Sequence, residues 1–219
     1  QTVIWAPVNL GATDTDYLGS KFQWGRRAGQ RPDEFVNGSY SGSISYTYKT
    51  TTTPATESEP LTNPDANTFY MAEQGKDWFT PDAKQSIKTN WNYIPATEYM
   101  GNPCPAGWRI PTVAELAGLI ENIQTPVTVK DKNGWDMVVA QCWGASKSTD
   151  TEEAVMLPYA GHIVETSGYG PSSIGSIGCY WASDLKDGKP SILRFFKTAY
   201  NIWDYDRRAC GFSIRCVRQ

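Results

Sequence analysis

The chain has 219 residues, 40% hydrophobic and 20% charged, and its 20 basic and 23 acidic side chains leave a net charge of −3. That length suits one large domain or two small ones with a substantial core, and the lack of a basic run of five or more excludes the electrostatic footprint of a nucleic-acid binder. No apolar stretch approaches the roughly 18 residues of a membrane span, and the start at Gln1 rather than Met reads as a mature or trimmed form that leaves location open.

In chain order, "VIWAPVNLGA" (Val3–Ala12) predicts a strand ending in a glycine turn, and "KFQWGRR" (Lys21–Arg27) a short aromatic segment with a basic end. From about 37 to 67 the chain is rich in Ser, Thr and Pro. Such a composition cannot form a core of its own, so a long surface insert is expected, with a hairpin around Ser43–Lys49. The segments on either side look alike and neither is complete alone, which favours a single domain over two joined by a linker. "TPDAKQSIKTN" (Thr80–Asn90) predicts one or two helical turns, with Thr80 as cap and Pro81 at the first helical position.

"NPCPAGWRIPTVAEL" (Asn102–Leu116) carries the clearest local signal. Thr112 and Glu115 make the T-x-x-E capping box, and Val113, Leu116, Ile120 and Ile123 recur at helical spacing. A helix is predicted over about 113–122, stopped by Thr125-Pro126. Pro103, Pro105 and Pro111 hold its approach rigid, and Trp108 covers its start. Beyond it the pattern is all β. Asn133-Gly134 marks a turn, Pro158 interrupts "AVMLPYAGHI", and "SIGCYWASD", "SILRFFKTA" and "CGFSIRCVR" are short apolar runs bounded by Gly, Asp and Asn. In the last run Cys210, Phe212, Ile214 and Cys216 share one face and Ser213 and Arg215 the other. One helix among many short strands predicts an α+β fold.

The five cysteines, Cys104, Cys142, Cys179, Cys210 and Cys216, show no CxxC, and there is a single histidine, so a zinc site is not expected. Either some pair as disulfides in an oxidising compartment or all are reduced core thiols; an odd count leaves at least one unpaired within the chain. The lone His162 reads as a packing or hairpin residue rather than a catalytic base. The carboxylate pairs Asp204 with Asp206 and Glu152 with Glu153 read as solvated loop charges, and two alternating carboxylates in "WDYD" fall short of the six or more oxygens a calcium ion wants.

"WAPVNLGA", "FQWGRR", "NPCPAGWRIPTVAEL", "LPYAGHI", "GCYWASD" and "CGFSIRCVR" follow one another in the order seen in the Fibrobacter succinogenes major paralogous domain, which the chain resembles from Trp5 to Arg218. That domain is common in Bacteroidetes surface and fimbria-associated proteins and is similar to the C-type lectin fold. The resemblance implies a twisted antiparallel sheet joining the two termini, a helix against it and a loop-rich side. It also implies a disulfide between Cys104 and Cys216. Cys179 and Cys210 depart from the small or polar residues the family holds there, and either pair across neighbouring strands or remain buried thiols; Cys142 is expected as a buried thiol. "GWRIPTVAEL" also resembles the helix entrance of formylglycine-generating enzymes, but their C-terminal cysteine motif does not occur, so the likeness extends to fold and not to activity.

The functional expectation rests on 183–208, between "YWAS" and "GFSIRC", which in C-type lectin-like proteins diversified by retroelements bound the ligand surface. Aromatic area interleaved with Arg and Asn suits recognition, and sugar rings stack on Trp and Tyr. The candidate ligand-binding residues are Trp181, as a buttress beneath the others, with Asp184, Arg194, Tyr200, Asn201, Trp203, Tyr205 and Arg207. Trp181, one of Phe195 and Phe196, and Tyr200 are equally readable as core. The resulting expectation is a non-enzymatic, cofactor-free binding module on the outer membrane or outside the cell, with a lipid anchor before Gln1 left open. Its partner would be a glycan or protein ligand on a host or neighbouring cell. The alternative is a structural subunit or tip component whose partners are other fimbrial subunits.

Overall fold

The computed structural model describes residues 2–13, 17–27, 29, 34–36, 39–41, 46–49, 69–72, 90–94, 101–130, 134, 136–143, 147–148, 153–164, 171–201 and 206–219. Its strands are β1 (Ile4–Trp5), β2 (Phe22–Gln23), β3 (Glu34–Val36), β4 (Ser39–Ser41), β5 (Tyr46–Lys49), β6 (Phe69–Ala72), β7 (Trp108–Arg109), β8 (Ile123–Lys130), β9 (Asp136–Cys142), β10 (Lys147–Ser148), β11 (Val155–Pro158), β12 (Ala160–His162), β13 (Ser172–Ile174), β14 (Ile177–Lys186), β15 (Lys189–Phe196), β16 (Tyr200–Asn201), β17 (Gly211–Phe212) and β18 (Val217–Arg218). The α-helix α1 is Val113–Leu119 and runs straight into a 3-10 turn, Ile120–Asn122. Among the described residues the fold is therefore mostly sheet with one short α-helix, compatible with an α+β reading.

The capping box forms as the sequence predicts. The Glu115 N–H donates to Thr112 Oγ1 at 3.2 Å, and the Thr112 N–H donates to Glu115 Oε2 at 2.8 Å. Ile123, placed at helical spacing by the pattern, instead opens β8. The helix ends earlier because the chain must enter the β8–β9 hairpin, where Ile123 pairs with Cys142.

Three larger ladders carry the rest. The termini meet in a four-stranded sheet of order β10-β1-β18-β7, with Trp5 opposite Val217. The β8–β9 hairpin extends to β11 in a three-stranded sheet, and β13-β12-β14-β15-β16 make a five-stranded one. Of the expected hairpin around Ser43–Lys49 only Tyr46–Lys49 is described: it forms β5, which runs parallel to β6 beyond the Ser/Thr/Pro-rich stretch, and 43–45 lie outside the described residues. Most of 37–67 and all of 80–89 lie outside the described residues.

The β14–β15 hairpin is central because both of its faces are covered. Cys179, Trp181 and Ile192 look into one core, shared with Trp24, Trp91, Ile110, Phe212 and Ile214. Tyr180, Leu193 and Phe195 look into the other, shared with Trp5, Leu116, Leu119, Leu157 and Val217. A strand buried on both sides loses its polar alternation, which is why "GCYWAS" reads as one continuous run. Gly178 is obligatory here: an added Cβ would lie 2.0 Å from Phe195 Cζ.

Cys104 and Cys216 form a disulfide, with S–S 2.07 Å and Cα atoms 6.0 Å apart across a sequence separation of 112. Cys142, Cys179 and Cys210 are buried thiols, so the second pair considered between Cys179 and Cys210 does not form. They sit on separate elements of one apolar core, Cys179 on β14 and Cys210 just before β17.

Candidate functional site

The segment 183–208 is braced at both ends. At its start a bulge between Trp181 and Leu185 takes β14 out of register with β15. The freed backbone turns to the helix entrance, where the Ser183 N–H donates to Pro111 O at 2.8 Å. Asp184 then serves the helix: Oδ2 accepts the Val113 N–H and Oδ1 accepts Asn90 Nδ2, each at 2.7 Å. A carboxylate at a helix start satisfies an orphan N–H and complements the dipole. Asp184 is thus engaged at the helix start.

The bracket is tied by asparagines that sequence reasoning passed over. Asn92 exchanges two bonds with the Ile110 backbone, at 2.9 and 3.1 Å. Asn102 donates to Trp108 O at 2.9 Å and accepts the Cys104 N–H at 3.0 Å. Asn in a loop beside Pro and Gly was the available signal, because its amide mimics backbone turns. Arg109 closes the group with a two-pronged pair to Glu115. Burial pushes the Glu115 carboxyl up, but the Arg109 guanidinium and the Thr112 N–H outweigh it and hold the group below its ordinary value of 4.5. Because the native value is the lower one, this pair contributes fully above the ordinary carboxylate range and loses its contribution as pH falls through the native value. Glu115→Ala is expected to cost about 1–2 kcal/mol at neutral pH and much less near pH 3, read from urea unfolding at both.

At the far end, Arg194 on β15 forms an ion pair with Asp206, both side chains about a quarter exposed. The Asp206 N–H donates to Pro190 O at 3.2 Å, and its Oδ1 accepts the Arg207 N–H at 2.8 Å and the Cys210 thiol at 3.5 Å. Arg208 donates to Gly188 O at 2.6 Å and lies 5.5 Å from the Trp24 ring centroid. Asp206, read from sequence as a solvated loop charge, is instead a tie between the segment and the hairpin.

Trp181 has no exposed surface; its indole N–H donates to Phe22 O at 2.6 Å and its ring centroid lies 4.4 Å from that of Phe212. It can only act from beneath. Phe195 is the core member of its pair, and Phe196 is 37% exposed. Tyr200 and Asn201 form β16, the outer strand of the five-stranded sheet, opposite Phe195 and Arg194. Arg207 is exposed. Trp203, Asp204 and Tyr205 lie outside the described residues.

The titratable groups near this segment are disarmed. Burial pushes the Cys179 thiol up to about 11, against a smaller opposing effect of Arg194, and raises Cys210 further still, with Asp206 adding to it. His162 is lowered by burial first and by Arg194 second, so its neutral form is favoured. A protonated thiol and a histidine whose Nδ1 has no partner do not make an activated nucleophile. Among the described residues no group of three or more His, Cys, Asp or Glu is placed to hold a metal ion. Among them, too, no helix is long and apolar enough to cross a membrane. No family model, curated protein or solved structure matches the chain.

Proposed function

We propose that this chain is a secreted or surface-exposed binding module of C-type lectin-like architecture, and that it presents the loops of 183–208 to a glycan or protein ligand. The observation that carries the reading is the bracing of this segment at both ends, by Asp184 on the helix start and by Asp206 on Arg194. A pre-organised platform loses little entropy on binding, and this segment exposes Phe196 and Arg207. The termini joined by β1 and β18, and the disulfide from the helix entrance to the last strand, agree with the architecture that the resemblance implies.

Glycan arrays and pull-downs with the whole chain test this. Specific binding lost in Trp203→Ala or Tyr205→Ala, at a cost of about 2 kcal/mol or more for an anchoring aromatic, is the expected result. The alternative, a structural subunit of a surface assembly, draws on β8, an eight-residue strand that among the described residues pairs on one side only, since unpaired edges template strand addition. Absence of any ligand together with concentration-dependent polymerisation would replace the first reading with this one.

A further inference from the structure

Away from 183–208 the chain carries a cleft of about 360 Å³ between the N-terminal loop and the outer face of the β8–β9–β11 sheet. Its walls are Val8 from the loop, Met137 from β9, and Met156 and Pro158 from β11. Strand alternation makes them. Val155 and Leu157 turn into the core, so Met156 and Pro158 face the opposite way, under the loop. The size falls within the range of small-molecule sites, about 300–1,000 Å³.

The floor of this apolar cleft is a cation. Arg215 lines it and is 1% exposed. Its Nε and Nη2 donate to Asn9 Oδ1 at 3.0 and 2.8 Å, its Nη1 to the carbonyls of Ala6 and Pro7 at 3.2 Å, and its Nη2 also to Met156 O at 2.7 Å. Every one of these acceptors is neutral. The groups that favour its charge are Tyr180 and Cys142, and burial raises both, Cys142 to about 12, so neither is an anion at neutral pH. A buried charge is ordinarily paired with an opposite one; among the described residues Arg215 has hydrogen bonds and no counter-charge. Lys130, at the mouth of the same cleft, adds a second cation, which pairs with exposed Asp136.

We propose that this cleft binds an anionic amphiphile, a single-chain carboxylate with its tail among Val8, Met137, Met156 and Pro158 and its head held by the charge of Arg215 and the ammonium of Lys130. The buried charge and the apolar walls favour this class. The five N–H groups of Arg215 are already engaged, so the floor offers charge and apolar contact but no directional donor. A carboxylate supplies the counter-charge that Arg215 lacks among the described residues, and its tail covers the methionines. Lys130 can donate to it, because an exposed ammonium rotates between partners.

Calorimetric titration of the whole chain with decanoate, below its micelle-forming concentration, tests the proposal. Saturable binding at one site per chain is expected, with decanol at least about tenfold weaker and decyltrimethylammonium not binding. Met137→Trp, at a half-buried wall position, should fill the cleft and weaken decanoate by about tenfold or more. Val8→Trp on the opposite wall is the second blocking variant. The double variant Arg215→Met with Lys130→Met, where it folds, should bind decanoate and decanol alike. No saturable decanoate binding, equal binding of decanol by the unaltered chain, or unchanged affinity in both blocking variants would overturn the assignment.

Discussion

Cys216→Ser is expected to destabilise the chain by about 4–5 kcal/mol in the chain-entropy model and to lower its melting temperature by roughly 10–15 °C. The size of the effect follows from the length of chain that the bond closes, a separation of 112 residues, which leaves the unfolded ensemble with far more freedom once the bond is lost. Cys104→Ser should cost the same, and the double variant no more than either, because each removes one and the same link. Chain next to Cys216 also bridges the two terminal strands: the Ala6 N–H donates to Cys216 O at 2.9 Å, and Val217 pairs with both Trp5 and Arg109. Those backbone bonds remain in the serine variant, so it should fold but unfold more readily. A thiol titration of the unreduced, denatured chain checks the premise. Three thiols are expected, from Cys142, Cys179 and Cys210; one or five would contradict the pairing of Cys104 with Cys216 alone.

Trp181→Ala is the second large effect, at about 3–5 kcal/mol for truncating a fully buried Trp. Two losses add. The ring leaves a void against Phe212, and Phe22 O loses its indole donor. Trp181→Phe separates them, since it keeps most of the packing and should cost about 1–3 kcal/mol for the unpaired carbonyl. Guanidinium unfolding of the three proteins reads both values. A Trp181→Ala cost near zero would mean that the residue is not the buried support beneath 183–208. Since the ring has no exposed surface, any loss of ligand binding in the milder Phe variant would report a shift of that platform rather than a lost contact.

Much of the local structure was legible in the sequence. The Thr112–Glu115 box, the Pro158 break between β11 and β12, and the glycine turn at Gly134 (φ 83°) are short-range features, set by groups within a few residues of one another. Alternation in "CGFSIRC" correctly put Cys210, Phe212, Ile214 and Cys216 in one core. It also put Ser213 and Arg215 together on the other face, but could not show that this face is buried as well. Alternation reports which residues share a face, not what covers it.

The candidate site was less legible, for the same reason at longer range. Asp184 and Arg194 suit a recognition surface by residue type, yet their partners are the Val113 N–H, 71 positions away, and Asp206 on the returning chain. Arg215 meets Asn9 across 206 positions. By itself the sequence determined the helix with its cap, the turns, the apolar strand runs and the balance of charge, since these follow from backbone sterics and nearest-neighbour hydrogen bonding. Only the tertiary structure decided which strands pair, that the β14–β15 hairpin is buried on both faces, and which polar side chains are consumed as struts. Those outcomes depend on surfaces that meet only when the chain closes, and burial and hydrogen-bond satisfaction are properties of that closed arrangement.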